Sequence, residues 1–331
     1  MLRNSVAVIT LLAGTTLGTA LLAQDVKGAD LKVGLVLKTL ANPYWVAIGE
    51  GAQARADELG AKITILAATD ESAIEEQTTI TQTMAGQEFN CVAAAPISNT
   101  NLIAPLAAAT AAGKAVVLMN AVMPEFAAGG VKVATYIGVR NQDAGAAAAQ
   151  DMLAKLGAGA KVAVVGGLAG NADSAARLDG FKAALGGMDI VQEVAADWDR
   201  EKALNAADAI LRSNPDVKGF YAANDGMAMG IQQAINNAGM QGKVLVYGTD
   251  AVPDAVASVE AGQLAGTAAQ FPWVMGGMMV DGCLAALQGA TIEESTVAPV
   301  ALISSENVAA ALAAAPKPWF EYQSPLASLL K

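Results

Sequence analysis

No histidine occurs among the 331 residues, and only 2 cysteines do. The first absence removes Ser-His-Asp hydrolysis, imidazole-ligated metals and the commonest general base. There is no Cys-x-x-Cys, no Walker loop and no nucleophile elbow. The turn Gly166-Gly-Leu-Ala-Gly170 has the look of a phosphate loop but lacks the G-x-G-x-x-G spacing. Basic residues are also few: 20 Lys and Arg stand against 31 Asp and Glu, a net charge of −11 that makes nucleic acid and anionic membrane surfaces poor partners. Beyond the N-terminal segment no run approaches the ~20 uninterrupted apolar residues of a membrane span.

What is present begins with Arg3, an apolar stretch from Val6 to Ala13, and small or apolar residues through Ala20 and Ala23. This reads as a cleavable secretory signal over residues 1–23, without a cysteine for lipid attachment. The mature chain is then expected to be exported and soluble. Cys91 falls in an apolar strand and Cys283 in an apolar helix, so two buried free thiols are expected. An oxidising compartment would permit a bond between them, but two positions make no framework.

Short Val-, Ile- and Ala-rich runs alternate with amphipathic segments throughout, the pattern of an α/β fold whose parallel strands are covered on both faces. Strands are expected at Leu31–Lys38, Lys62–Leu66, Cys91–Ala95, Ala115–Met119 and Ala134–Gly138, then at Lys161–Val165, Asp189–Ala195, Gly219–Ala222 and Val244–Gly248. Two series imply two doubly wound parallel-sheet lobes. The helix from about Val274 has no place in the second series and is expected to return to the first; Val297–Ser304 then crosses once more as a strand. Three crossings make a hinge. The N-terminal lobe is expected over 30–139 and 271–297, and the C-terminal lobe over 140–270 and 298–315. Residues 316–331 read as a tail lying loosely on the surface.

The richest local signal is Lys38-Thr-Leu-Ala-Asn42-Pro43-Tyr44-Trp45, directly after an apolar strand. Asn42 is a good N-cap and Pro43 suits the first helical position, so two aromatics sit at a strand-to-helix junction. In an open α/β sheet that edge is where small ligands bind. Three further runs, Ala196-Asp-Trp-Asp-Arg200, Ala223-Asn-Asp-Gly-Met-Ala-Met-Gly230 and Gly248-Thr-Asp250, complete a set. Together they resemble, in order from about Leu31 to Gly289, the periplasmic sugar-binding proteins of ABC importers, most of all their allose and ribose branch. The resemblance implies a type I periplasmic binding protein fold, a monosaccharide or polyol held between closing lobes, delivery to a membrane permease, a periplasmic location and a monomer. It calls for no catalysis, cofactor or metal.

A sugar needs aromatic faces for its C–H surfaces and fixed polar groups for its hydroxyls. Tyr44, Trp45 and Trp198 supply the first; Lys38, Asn42, Asn224, Asp250 and Gln270 match the polar positions of the family. Asn171 and Asp173 are expected to face the cleft, and Arg177 aligns with a family arginine that serves ligand or structure. Two departures bear on specificity. After strand Ala115–Met119 the relatives' carboxylate is replaced by Val122, leaving Asn120 as a candidate, and the hinge carries Arg140-Asn141 where Asp-Asn is usual. A neutral sugar, ketose or polyol is therefore one reading, and a sugar acid paired with Arg140 or Arg177 another. A sensory receptor subunit and a two-carboxylate glycosidase remain as other classes, the last without a paired-acid motif.

Overall fold

A computed structural model describes residues 26–119 and 122–331. The expected signal segment and Asn120 lie outside the described residues. The chain first lays down β1 (Lys32–Leu37), α1 (Pro43–Leu59), β2 (Lys62–Ala67), α2 (Ile74–Gly86), β3 (Cys91–Ala94), α3 (Ile103–Ala111), β4 (Ala115–Met119), α4 (Pro124–Ala128) and β5 (Val133–Gly138). It crosses at Val139 to Arg140 and repeats the scheme with α5 (Asn141–Leu156), β6 (Lys161–Gly166), α6 (Ala172–Ala183), β7 (Asp189–Ala195) and α7 (Arg200–Ser213). That lobe is completed by β8 (Gly219–Ala222), α8 (Asp225–Asn237), β9 (Leu245–Asp250), α9 (Pro253–Glu260) and β10 (Gly266–Ala269). The chain then recrosses into α10 (Pro272–Leu287) and β11 (Ser295–Val297), and crosses a last time into β12 (Ala301–Ser304) and α11 (Val308–Ala314).

Two six-stranded sheets result, ordered β11-β5-β4-β3-β1-β2 and β12-β10-β9-β8-β6-β7. All pairings are parallel except β10 with β12. Strand order reverses direction at β1/β3 in the first sheet and at β6/β8 in the second, and the crevice beyond such a reversal is the place for a ligand. The two lobes are built alike and turn these crevices toward a common cleft, whose walls are described below.

The expected return of the chain is present: α10 packs on α1 and on β4 and β5. The contact is close because glycines sit where side chains would collide. A Cβ on Gly51 would lie 1.8 Å from the Trp273 carbonyl oxygen, and one on Gly276 would lie 2.0 Å from that of Ile48. Three expectations need correction. Cys91 and Cys283 are not free thiols but a disulfide, since the returning helix lays Cys283 over β3 with the two Cα atoms 5.8 Å apart. Val297–Ser304 is not one strand; Pro299 lies between β11, which stays with the first sheet, and β12, which joins the second. Proline has no N–H to donate to a ladder, so the strand breaks there.

The tail does not lie loosely. Leu326 is 1 % exposed within the first lobe's core, and the Lys331 N–H donates to Gln288 Oε1 at 3.1 Å. Trp319 and Phe320 close an aromatic cluster on Phe271, with ring centroids 5.4 to 5.6 Å apart. Phe271 itself, at the second crossing, belongs to the other lobe's core.

Candidate functional site

A cavity lies between the lobes, at the carboxyl edges of both sheets where open α/β folds bind small ligands. Its first wall is built by the loops after β1 and β2: Lys38, Asn42, Tyr44, Trp45 and Glu71. The opposite wall carries Asn171, Asp173 and Arg177 from the start of α6, Trp198 from the β7–α7 loop, Asn224 from the end of β8, and Asp250 from the end of β9. The expected residues Lys38, Asn42, Tyr44, Trp45, Asn171, Arg177, Trp198, Asn224 and Asp250 thus meet in one space.

Each is held by local structure. Asn42 caps α1, its Oδ1 accepting from the Tyr44 N–H at 3.0 Å, while its Nδ2 donates to Glu71 Oε1 at 2.8 Å. Trp45 is 4 % exposed, largely core, and donates its indole N–H to the same Glu71 oxygen at 3.1 Å. Lys38, 7 % exposed, places its ammonium 5.2 Å from the Trp45 ring centroid, a cation–π contact. Tyr44 stands edge-on to Trp45 at 5.0 Å. Burial, reinforced by the nearby Asp250 carboxylate, lifts the Tyr44 phenol far above its ordinary range, so it keeps its proton and can donate.

On the second wall Asn171 and Asn224 both cap helices through Oδ1, to the Ser174 N–H at 3.0 Å and the Met227 N–H at 2.9 Å, which leaves their amide NH₂ groups for the cleft. Asp225, next to the Asn224 cap, is turned to another task. Its carboxylate accepts from the Val252 N–H at 2.9 Å and the Thr267 hydroxyl at 2.6 Å, tying down the loop after β9. That loop needs anchoring, because Asp250 and Ala251 have φ of 120° and 58°, a region unfavourable to side chains. Asp197 and Trp198 are also left-handed, at 53° and 63°. Asp199 caps α7 and Asp197 pairs with Lys202 at 2.8 Å, so these carboxylates hold the turn that presents Trp198. The ring lies flat against the end of β6 only because residue 167 is glycine: a Cβ there would fall 2.2 Å from it.

Arg177 is the hub. Its Nε donates to Asn141 Oδ1 at 2.9 Å, its Nη1 to the Ala223 carbonyl at 2.6 Å and to Asp250 at 3.3 Å, and its Nη2 to Gln270 Oε1 at 3.0 Å. Its guanidinium also lies 5.6 Å from the Trp198 ring centroid. Burial pushes the Asp250 carboxyl well above the usual range, and Arg177 pulls it back. Gln270 does not line the cavity; fully buried, it fixes Arg177 and Asn141. Arg140 does not line the cavity: 74 % exposed, it pairs with Asp143 at 2.6 Å, one helical turn on. Val122 borders a neighbouring groove.

A model of the periplasmic binding protein domain matches residues 33–291. The chain belongs to that family. Over 279 residues it is 39 % identical to the D-allose-binding periplasmic protein of Escherichia coli, covering 81 % of this chain and 89 % of that one. It is 31 % identical to the ribose import binding protein of Bacillus subtilis over 274 residues, 82 % of this chain and 87 % of the other. Among solved structures, an ABC transporter solute-binding protein of Actinobacillus succinogenes with bound D-allose superposes with a TM-score of 0.81 at 27 % identity, over 84 % of this chain and 99 % of that one.

Like these relatives, this periplasmic binding protein has two parallel-sheet lobes with helices on both faces. No helix among the described residues is long and apolar enough to cross a membrane. Glu71 is the site residue that sequence reasoning missed. Its signal was available: the loop after β2 lies at the same sheet edge as the loop after β1. Among the described residues, no hydrogen bond or ion pair joins the two walls of the cleft.

Proposed function

We propose that the protein captures a neutral monosaccharide in the interlobe cavity and, once closed around it, presents it to an ABC importer permease from the periplasm, acting as a monomer. The carrying observation is the composition of the two walls. Aromatic side chains Tyr44, Trp45 and Trp198 line the space between the lobes, and Lys38, Asn171, Asn224, Arg177 and Asp250 add polar groups to the same lining. Because neither wall bonds to the other, a ligand that bonds to both supplies the free-energy difference that favours closure. A sugar acid is the weaker reading, since Arg177 already spends four of its five N–H donors on Asn141, Ala223, Asp250 and Gln270, and the carboxyl groups of Glu71, Asp173 and Asp250 line the space. The relatives are named for allose and ribose, which makes these the sugars to try first.

A thermal-shift screen over aldoses, ketoses, polyols and aldonates tests this. Saturating D-allose or D-ribose is expected to raise the melting temperature, as any ligand specific to the folded state does. Stabilisation by aldonates alone would remove the neutral-sugar reading. Trp198→Ala should weaken binding by about 2 kcal/mol, roughly thirtyfold in Kd; unchanged affinity would sink the stacking assignment.

A further inference from the structure

Among its described residues the first wall offers few acceptors, the neutral Tyr44 hydroxyl and the Glu71 carboxylate. Lys38 and the Trp45 indole only donate, and Asn42 Oδ1 is committed to the Tyr44 N–H. Val122, which stands where a carboxylate is expected, borders the adjoining groove and has no acceptor to offer. Sugar hydroxyls bound between two walls need acceptors on both, and the other wall has Asp173 and Asp250.

Glu71 fills the gap. Its Oε1 takes the hydrogen bonds from Asn42 and Trp45, whereas Oε2 has no partner among the described residues. The residue lines the cavity and also the wider adjoining space, which has residues of both lobes in its lining. We propose that Glu71 is a specificity-determining contact, bracing Asn42 and Trp45 with one oxygen and accepting a ligand hydroxyl with the other. The assignment rests on the sugar-binding reading and adds to it the first-lobe carboxylate that Val122 withholds. A carboxylate acceptor forms a stronger, more directional bond to a hydroxyl than a neutral one does, so it selects the epimer whose hydroxyl points toward the loop after β2.

Glu71→Gln separates contact from bracing, because its amide oxygen can still accept from Asn42 and Trp45 while the charge and the second acceptor are lost. By isothermal titration with D-allose, D-ribose and their monodeoxy analogues, the variant is expected to bind the parent sugars at least tenfold more weakly. For the analogue lacking the hydroxyl that meets Glu71, variant and wild type should bind alike. Wild-type affinity of Glu71→Gln for every parent sugar, with a loss only in Glu71→Ala, would reduce Glu71 to a brace and overturn the proposal while the sugar reading stood. A wild-type protein indifferent to every sugar would remove both.

Discussion

Replacing both cysteines, as Cys91→Ala with Cys283→Ala, isolates what the disulfide does. The bond closes a sequence separation of 192 residues, from the third strand of the first sheet to the helix that comes back after the whole second lobe has been made. In the chain-entropy account a loop of that length removes denatured-state freedom worth about 5 kcal/mol at 25 °C, near the top of the range seen for disulfides. Both residues are fully buried, so the variant also loses sulfur packing on β3 and α10, a smaller cost. At roughly 2–4 °C per kcal/mol for a large domain, the melting temperature should drop by about 10 °C or more. The bond lies wholly within one lobe and away from the cavity, so sugar affinity at 25 °C should stay within twofold. Differential scanning calorimetry and titration on the same samples measure both. An unchanged melting temperature would refute the entropic reasoning, and a large loss of affinity would refute the placement of the bond clear of the hinge and site.

Gly167→Ala puts a methyl group into the Trp198 ring, so affinity should fall about as far as in Trp198→Ala while the melt stays near wild type, as titration and scanning fluorimetry would show. Arg177→Met leaves Asp250 buried without its partner, and urea unfolding should register a loss of about 3–5 kcal/mol. Burial raises the Asp225 carboxyl to about 7, so the folded chain holds this proton more tightly than the unfolded one. Stability from this group therefore falls as pH rises from about 4 to about 7, by at most about 1.4 kcal/mol per pH unit, and melting curves of Asp225→Asn across that range should show a shallower slope than wild type.

Much of this was legible in the chain because the physics was local. Most strands of both series carry apolar residues on both faces, and Asn42-Pro43 marks the start of α1 to the residue. The aromatics and strand-end polar groups follow from the rule that open sheets bind ligands at their carboxyl edge. What escaped depended on contacts between distant segments. The disulfide needed α10 to be laid over β3 in a particular register. Glu71 sits in the polar run Thr69-Asp-Glu-Ser72, where nothing local separates a ligand carboxylate from a solvated one. Leu326 looked like a tail residue because its pocket is assembled from the first lobe's helices and strands.

The anchoring of residues 326–331 gives a way to observe the proposed closure directly. With Leu326 sunk in the first lobe and Lys331 bonded to Gln288, a fluorophore fused after residue 331 rides on that lobe. A second dye on the other lobe, for example at the exposed Lys182 of α6, would then convert the proposed closure into a change of distance, giving an optical readout from a residue that does not line the cavity.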